Sequence, residues 1–153
     1  MPWHTDLNEV FRSLRGRQRE LSWLLTDVEC NAILPGEISA DPPAWWLSGR
    51  ELSDFVEASR IQFNWAVASG FRVPLATGDR LLHYPFADGN QALWDEQVLV
   101  QHPSAEVEIV CWDSSATLLI SREPSFVEDF RLYFHEAIDL EDHNRAVRRG
   151  SRR

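Results

Sequence analysis

Residues 106–121 read EVEIVCWDSSATLLIS, two β-rich arms around the trio Asp113-Ser114-Ser115. Asp and Ser side chains bond to nearby backbone and favour turns, so the stretch is expected to form a β-hairpin. Along its first arm, Val107, Ile109 and Cys111 share one face and are expected to meet a core. Glu106, Glu108, Val110 and Trp112 share the other. Short hairpin links join antiparallel neighbours. The expectation is therefore an α+β fold, an antiparallel sheet of five or six strands with about three helices packed mainly on one face.

Working outward, IQFNWAV (residues 61–67) alternates Ile61, Phe63, Trp65 and Val67 with Gln62, Asn64 and Ala66, the period of a half-buried strand. Residues 21–30 (LSWLLTDVEC), 81–86 and 97–101 also read as strands. Residues 31–47 hold three prolines and a glycine and read as an irregular connection. Within it, Trp45 and Trp46 either plug one end of the core or form an exposed lip. Helices are expected at Asp6 to Leu14, capped by Asp6, and at Ser48 to Ser59. A third opens at Glu123-Pro124-Ser125, and Phe126, Phe130 and Phe134 lay an aromatic stripe along it.

The 15 basic residues are all Arg, against 24 Asp and Glu, for a formal net charge of −9 over 153 residues. Five of the Arg fall in residues 145–153, where there is no acid, so residues 1–144 carry 10 Arg against 24 acids, a formal −14. The expected organisation is one globular domain over 1–144 followed by an Arg-rich, disordered tail over 145–153. No apolar stretch approaches the roughly 20 residues of a membrane span. Met1 to Asp6 lacks the basic and apolar regions of a signal peptide, so a cytoplasmic location is expected.

Without lysine there is no Walker A loop, Schiff base or pyridoxal phosphate anchor, and no GxG pair supplies a dinucleotide fingerprint. No cofactor is therefore expected. The five histidines (His4, His83, His102, His135, His143) show no HxH or HxxxH spacing, so no metal site is expected. Cys30 and Cys111 sit in apolar, strand-like segments and read as buried free thiols.

Glu106 and Glu108 lie two apart on one strand face beside Trp112. That spacing suits a solvated sheet face, paired carboxylates for acid–base work, or an acidic, aromatic-anchored patch that binds a partner. As a patch it comprises Glu106, Glu108, Trp112 and Asp113, extended by Asp27 and Glu29 if the strands are neighbours. A body of this charge repels nucleic acid and anionic membrane and speeds encounter with basic proteins.

The size, acidity and α+β pattern, with IQFNWAVASGF (residues 61–71) and EVEIVCWDSSATLLIS, resemble small bacterial immunity proteins of polymorphic toxin systems. The resemblance implies a non-catalytic binding protein that inhibits a basic toxin domain; it carries over no functional residue. Two other readings stay open. One is a small enzyme or ligand-binding domain that uses the carboxylates, with His83, inside a pocket. The other is a regulatory module whose Arg tail contacts nucleic acid.

Overall fold

The computed structural model describes residues 6–151. Six antiparallel strands form one sheet: β1 (Ser22–Cys30), β2 (Glu37–Ala40), β3 (Pro43–Ser48), β4 (Phe63–Phe71), β5 (Val107–Trp112) and β6 (Ala116–Ser121), in the order β2-β3-β1-β4-β5-β6. Four α-helices accompany it: α1 (Leu7–Ser13), α2 (Gly49–Ala58), α3 (Pro124–Tyr133) and α4 (Leu140–Ser151). The α+β class and the six-stranded antiparallel sheet agree with the sequence reading, and the four α-helices among the described residues are close to the three or so expected.

Local chemistry sets the helix starts. The Asp6 carboxylate accepts from the amides of Asn8 (3.0 Å) and Glu9 (3.4 Å), which α1 itself leaves unpaired. Ser48 and Glu51 close a reciprocal capping box at α2. Pro124 starts α3, with Glu123 as its cap. The 106–121 stretch forms the β5–β6 hairpin, with Asp113 and Ser114 both at positive φ (46° and 55°) in its turn.

One face of the sheet carries Trp23, Leu25, Leu47, Phe63, Ala68, Val107 and Ile109 into the larger core, under α1, α2 and α3. Here α2 approaches the turn at 17–20 so closely that a Cβ on Gly49 would lie 2.2 Å from the Gln18 carbonyl oxygen and 2.5 Å from that of Leu21. Backbone atoms on both sides cannot step aside. Gly49→Ala should cost about 3 kcal/mol in urea unfolding. Gly78→Ala, with nothing within 4 Å, should stay within about 0.5 kcal/mol of wild type.

The opposite face is buried as well. It presents Leu24, Thr26, Ala44, Val67, Ser69, Phe71, Glu108 and Val110, all fully or almost fully enclosed. The long excursion between β4 and β5, residues 72–106, lies over it, and α4 completes the cover through Leu140 and Asn144. Three of the four described helices thus pack on one face, as expected of helices mainly on one side. The cover on the second face removes the solvated-face reading of Glu108. It also accounts for the near-continuous apolar runs in β1 and β5, since a strand covered on both sides need not alternate.

Other expectations change for the same reason. Residues 81–86 and 97–101 are not strands; they are irregular chain whose apolar side chains pack on the second face, as Tyr84, Val98 and Val100 do. Residues 31–47 are not one irregular connection, because they contain β2 and most of β3. Trp45 and Trp46 therefore point to opposite faces of β3 and both are half-buried. Trp46 packs on Phe71 (5.5 Å) and beneath the Arg80 guanidinium (4.2 Å). The tail expected to be disordered from Arg145 is instead helical to Ser151, where Arg145 pairs with Asp142 and Arg148 with Asp95. His4, Arg152 and Arg153 lie outside the described residues. No helix among those described is long and apolar enough to cross a membrane.

Candidate binding site at the turn end of the sheet

The six acidic and aromatic residues singled out in the sequence do not form one patch. Glu108 is completely buried, contrary to a place on a solvent-facing surface. It stands opposite Ser69 on β4, whose hydroxyl donates to it at 2.8 Å. The amides of Gln101 (2.5 Å) and His102 (3.1 Å) donate to its two oxygens. The carboxylate thus pins the excursion to the sheet, and its oxygens are already engaged. Asp27 does similar work at a bulge in β1, where its carboxylate accepts from Ala87 and Asp88 (both 2.8 Å). Glu106 sits at the far end of β5 and faces Arg72 at 3.9 Å.

Glu29, Trp112 and Asp113 do come together. Asn64 links them, donating to Glu29 (3.2 Å) and accepting from the Ser114 hydroxyl (2.6 Å) in the β5–β6 turn. Trp112 stacks edge-on against Trp65 on one side and Trp94 on the other, each at 4.9 Å. All three rings are half-exposed, and Glu29 and Asp113 are exposed beside them. Trp94 was missed in the sequence. Its neighbours show only a turn, in which Asn90 caps residues 91–94. Its contact with Trp112 spans the fold and has no local signature.

A groove of about 640 Å³ opens from this end along β6, lined by Trp94, by residues 115–121 and by side chains of α3 and of the chain leading into α4. Among the described residues no cluster of three or more His, Cys, Asp or Glu could hold a metal ion. Burial raises both thiols, Cys111 to about 12, which makes them weak nucleophiles at neutral pH.

His83 is exposed, and its ring meets that of buried His102 at 5.4 Å. His102 Nδ1 accepts from the Ser104 amide (3.2 Å), so the neutral ring carries its proton on Nε2. Among the described residues that nitrogen has no partner at full hydrogen-bond geometry, and the Arg80 backbone offsets its burial only in part. Burial, then the charge of His83, push His102 below the usual 6.5. Burial pushes Glu108 above its usual 4.5, against the pull of the Gln101 and His102 amides and the Ser69 hydroxyl.

The two groups act on stability in opposite directions. Below 6.5 the unfolded chain protonates His102 before the folded one does, so that contribution is lost as pH falls. Folded Glu108 keeps its proton above 4.5, so its contribution is present in acid and lost as pH rises through the folded value. His102→Gln should therefore flatten the fall in thermal stability just below pH 6.5 relative to wild type, read by calorimetry.

No protein-family model, curated protein or solved structure matches this chain.

Proposed function

We propose that this chain is a non-catalytic binding protein of the immunity-inhibitor type that engages a basic protein. The observation that carries this reading is the gathering of Trp65, Trp94 and Trp112 as half-exposed, edge-stacked rings beside Glu29 and Asp113. Aromatic anchors flanked by charge are the residues that dominate protein interfaces. Glu108 is the one buried side chain among the 24 acids, so the negative charge otherwise lies at or near the surface, where it attracts and selects a cationic partner. The enclosure of Glu108 and the raised thiols favour binding over acid–base or nucleophilic catalysis.

The test is capture of a partner from extracts of the source cells, followed by titration of the purified complex. The partner should be basic, and affinity should fall as salt rises. Trp112→Ala should weaken binding about 30-fold or more, the loss typical of a central aromatic anchor. Asp113→Asn removes a charge and keeps a residue that tolerates positive φ; it should lower the association rate and the salt dependence. An acidic partner, or full affinity in both variants, would refute the reading.

A further inference from the structure

The two edges of the sheet are treated differently. β2 is short, begins with Glu37 and is followed by Asp41-Pro42-Pro43, features that discourage another strand from pairing. β6 reads ATLLIS, without charge or proline and rich in β-formers. Antiparallel pairing fixes which of its backbone groups point outward. The Arg122 backbone amide donates to the Glu106 carbonyl at 2.8 Å, so that carbonyl faces β6 and the Val107 amide that follows it faces β4. Pairs 108/120 and 110/118 follow as bonded ones, and 109/119 falls between them. The N–H and C=O of Leu119 therefore point away from β5.

What lies beyond them is a groove. α3 packs on the larger-core face of the sheet and α4 on the opposite face, so the chain joining them must cross the β6 edge. Between that crossing and β6 runs the opening of about 640 Å³, bordered continuously by residues 115–121. The crossing and the start of α4 bring Glu136, Asp139 and Glu141 to its rim, against Arg131 from α3. A second copy of this chain would bring the same carboxylates and the same net −9, so self-pairing is opposed by charge.

We propose that this groove takes an extended segment of a basic protein as an added strand, paired through the backbone of Leu119, with cationic side chains toward Glu136 and Asp139. The inference rests on the basic-partner reading above and specifies how the partner is held. Main-chain bonds would supply affinity and the rim carboxylates selectivity, the division usual in strand addition. The groove begins at Trp94, so the added strand would run on from the aromatic end of the sheet.

The probe is a capped peptide of alternating Arg and Val, compared with its Glu-Val counterpart and with an Arg-Val peptide N-methylated at alternate residues. Hydrogen exchange at the Leu119 amide is followed on the intact protein by NMR. At ten times its Kd, the Arg-Val peptide should slow that exchange about tenfold. The N-methylated and Glu-Val peptides should leave it unchanged. Glu136→Gln, at an exposed position, should weaken the Arg-Val peptide about two- to fivefold. Unchanged exchange at Leu119 overturns strand addition, and if the Arg-Val peptide instead shifts Trp112 and Asp113, the basic-partner reading survives that failure. Preference for the Glu-Val peptide overturns both.

Discussion

Trp23→Ala should lower the unfolding free energy by about 3–5 kcal/mol, among the largest effects of any single truncation in this chain. The indole is fully enclosed, packs on Phe11 at 5.3 Å and donates to the Gln18 carbonyl at 3.0 Å. It also occupies the space left by the missing side chain of Gly70: a Cβ there would meet the indole at 3.0 Å. Truncation thus opens a cavity where α1, the 17–20 turn, β1 and β4 converge, and rigid strands on either side cannot collapse into it. Trp23→Phe keeps most of the volume but removes the indole donor, leaving the Gln18 carbonyl only the Leu21 amide at 3.3 Å, so about 1 kcal/mol is expected. Urea unfolding with an unchanged m-value is the check; a loss below about 1 kcal/mol for Trp23→Ala would contradict this account of the core.

Glu108→Ala should cost about 3 kcal/mol, although it removes a buried charge that itself opposes folding. The reason lies in what is left behind. The amides of Gln101 and His102 and the hydroxyl of Ser69 all donate to this carboxylate; each would lose its acceptor, His102 and Ser69 in full burial and Gln101 in partial burial. Glu108→Gln retains one acceptor oxygen but turns an NH2 group toward a donor, so an intermediate loss of about 1–2 kcal/mol is expected. The local effect separates this from a general core defect. Amide exchange should speed up at Gln101 and His102 in Glu108→Ala well before it changes at β1. Were Glu108→Ala as stable as wild type, the carboxylate would not be the pin that holds the excursion to the sheet.

How much could be read from the sequence depended on the range of the interactions involved. The β5–β6 hairpin, the cap at Asp6 and the Phe126, Phe130 and Phe134 stripe rest on contacts between residues a few positions apart, and all were legible. A strand near 61–67 was legible too, but its single apolar face was not: an extra residue in β4 between Phe63 and Trp65 shifts the alternation, so that Phe63 and Ala66 enter the larger core while Trp65 and Val67 face the other side. The 81–86 and 97–101 segments misled because apolar residues look alike whether they pair in a ladder or merely pack on one. β2 and most of β3 were hidden by prolines that here sit at strand ends, where a missing donor costs little.

The candidate site divides in the same way. The sequence placed Glu108 and Trp112 on one face of β5 correctly, since alternation is local. It could not say that the 72–106 excursion would cover the first and leave the second half-exposed. Nor could it bring Trp94 to Trp112, or lead the chain from α3 to α4 across the β6 edge. By itself the sequence determined an antiparallel α+β sheet, an acidic body and the absence of lysine-dependent chemistry. The tertiary structure alone decided that both faces of the sheet are buried, that Glu108 is a structural pin, and that Glu29 and Asp113 meet Trp65, Trp94 and Trp112 at the turn end of β5 and β6. Periodicity and turn propensity act within a few residues, whereas which surface covers which is settled by long-range packing.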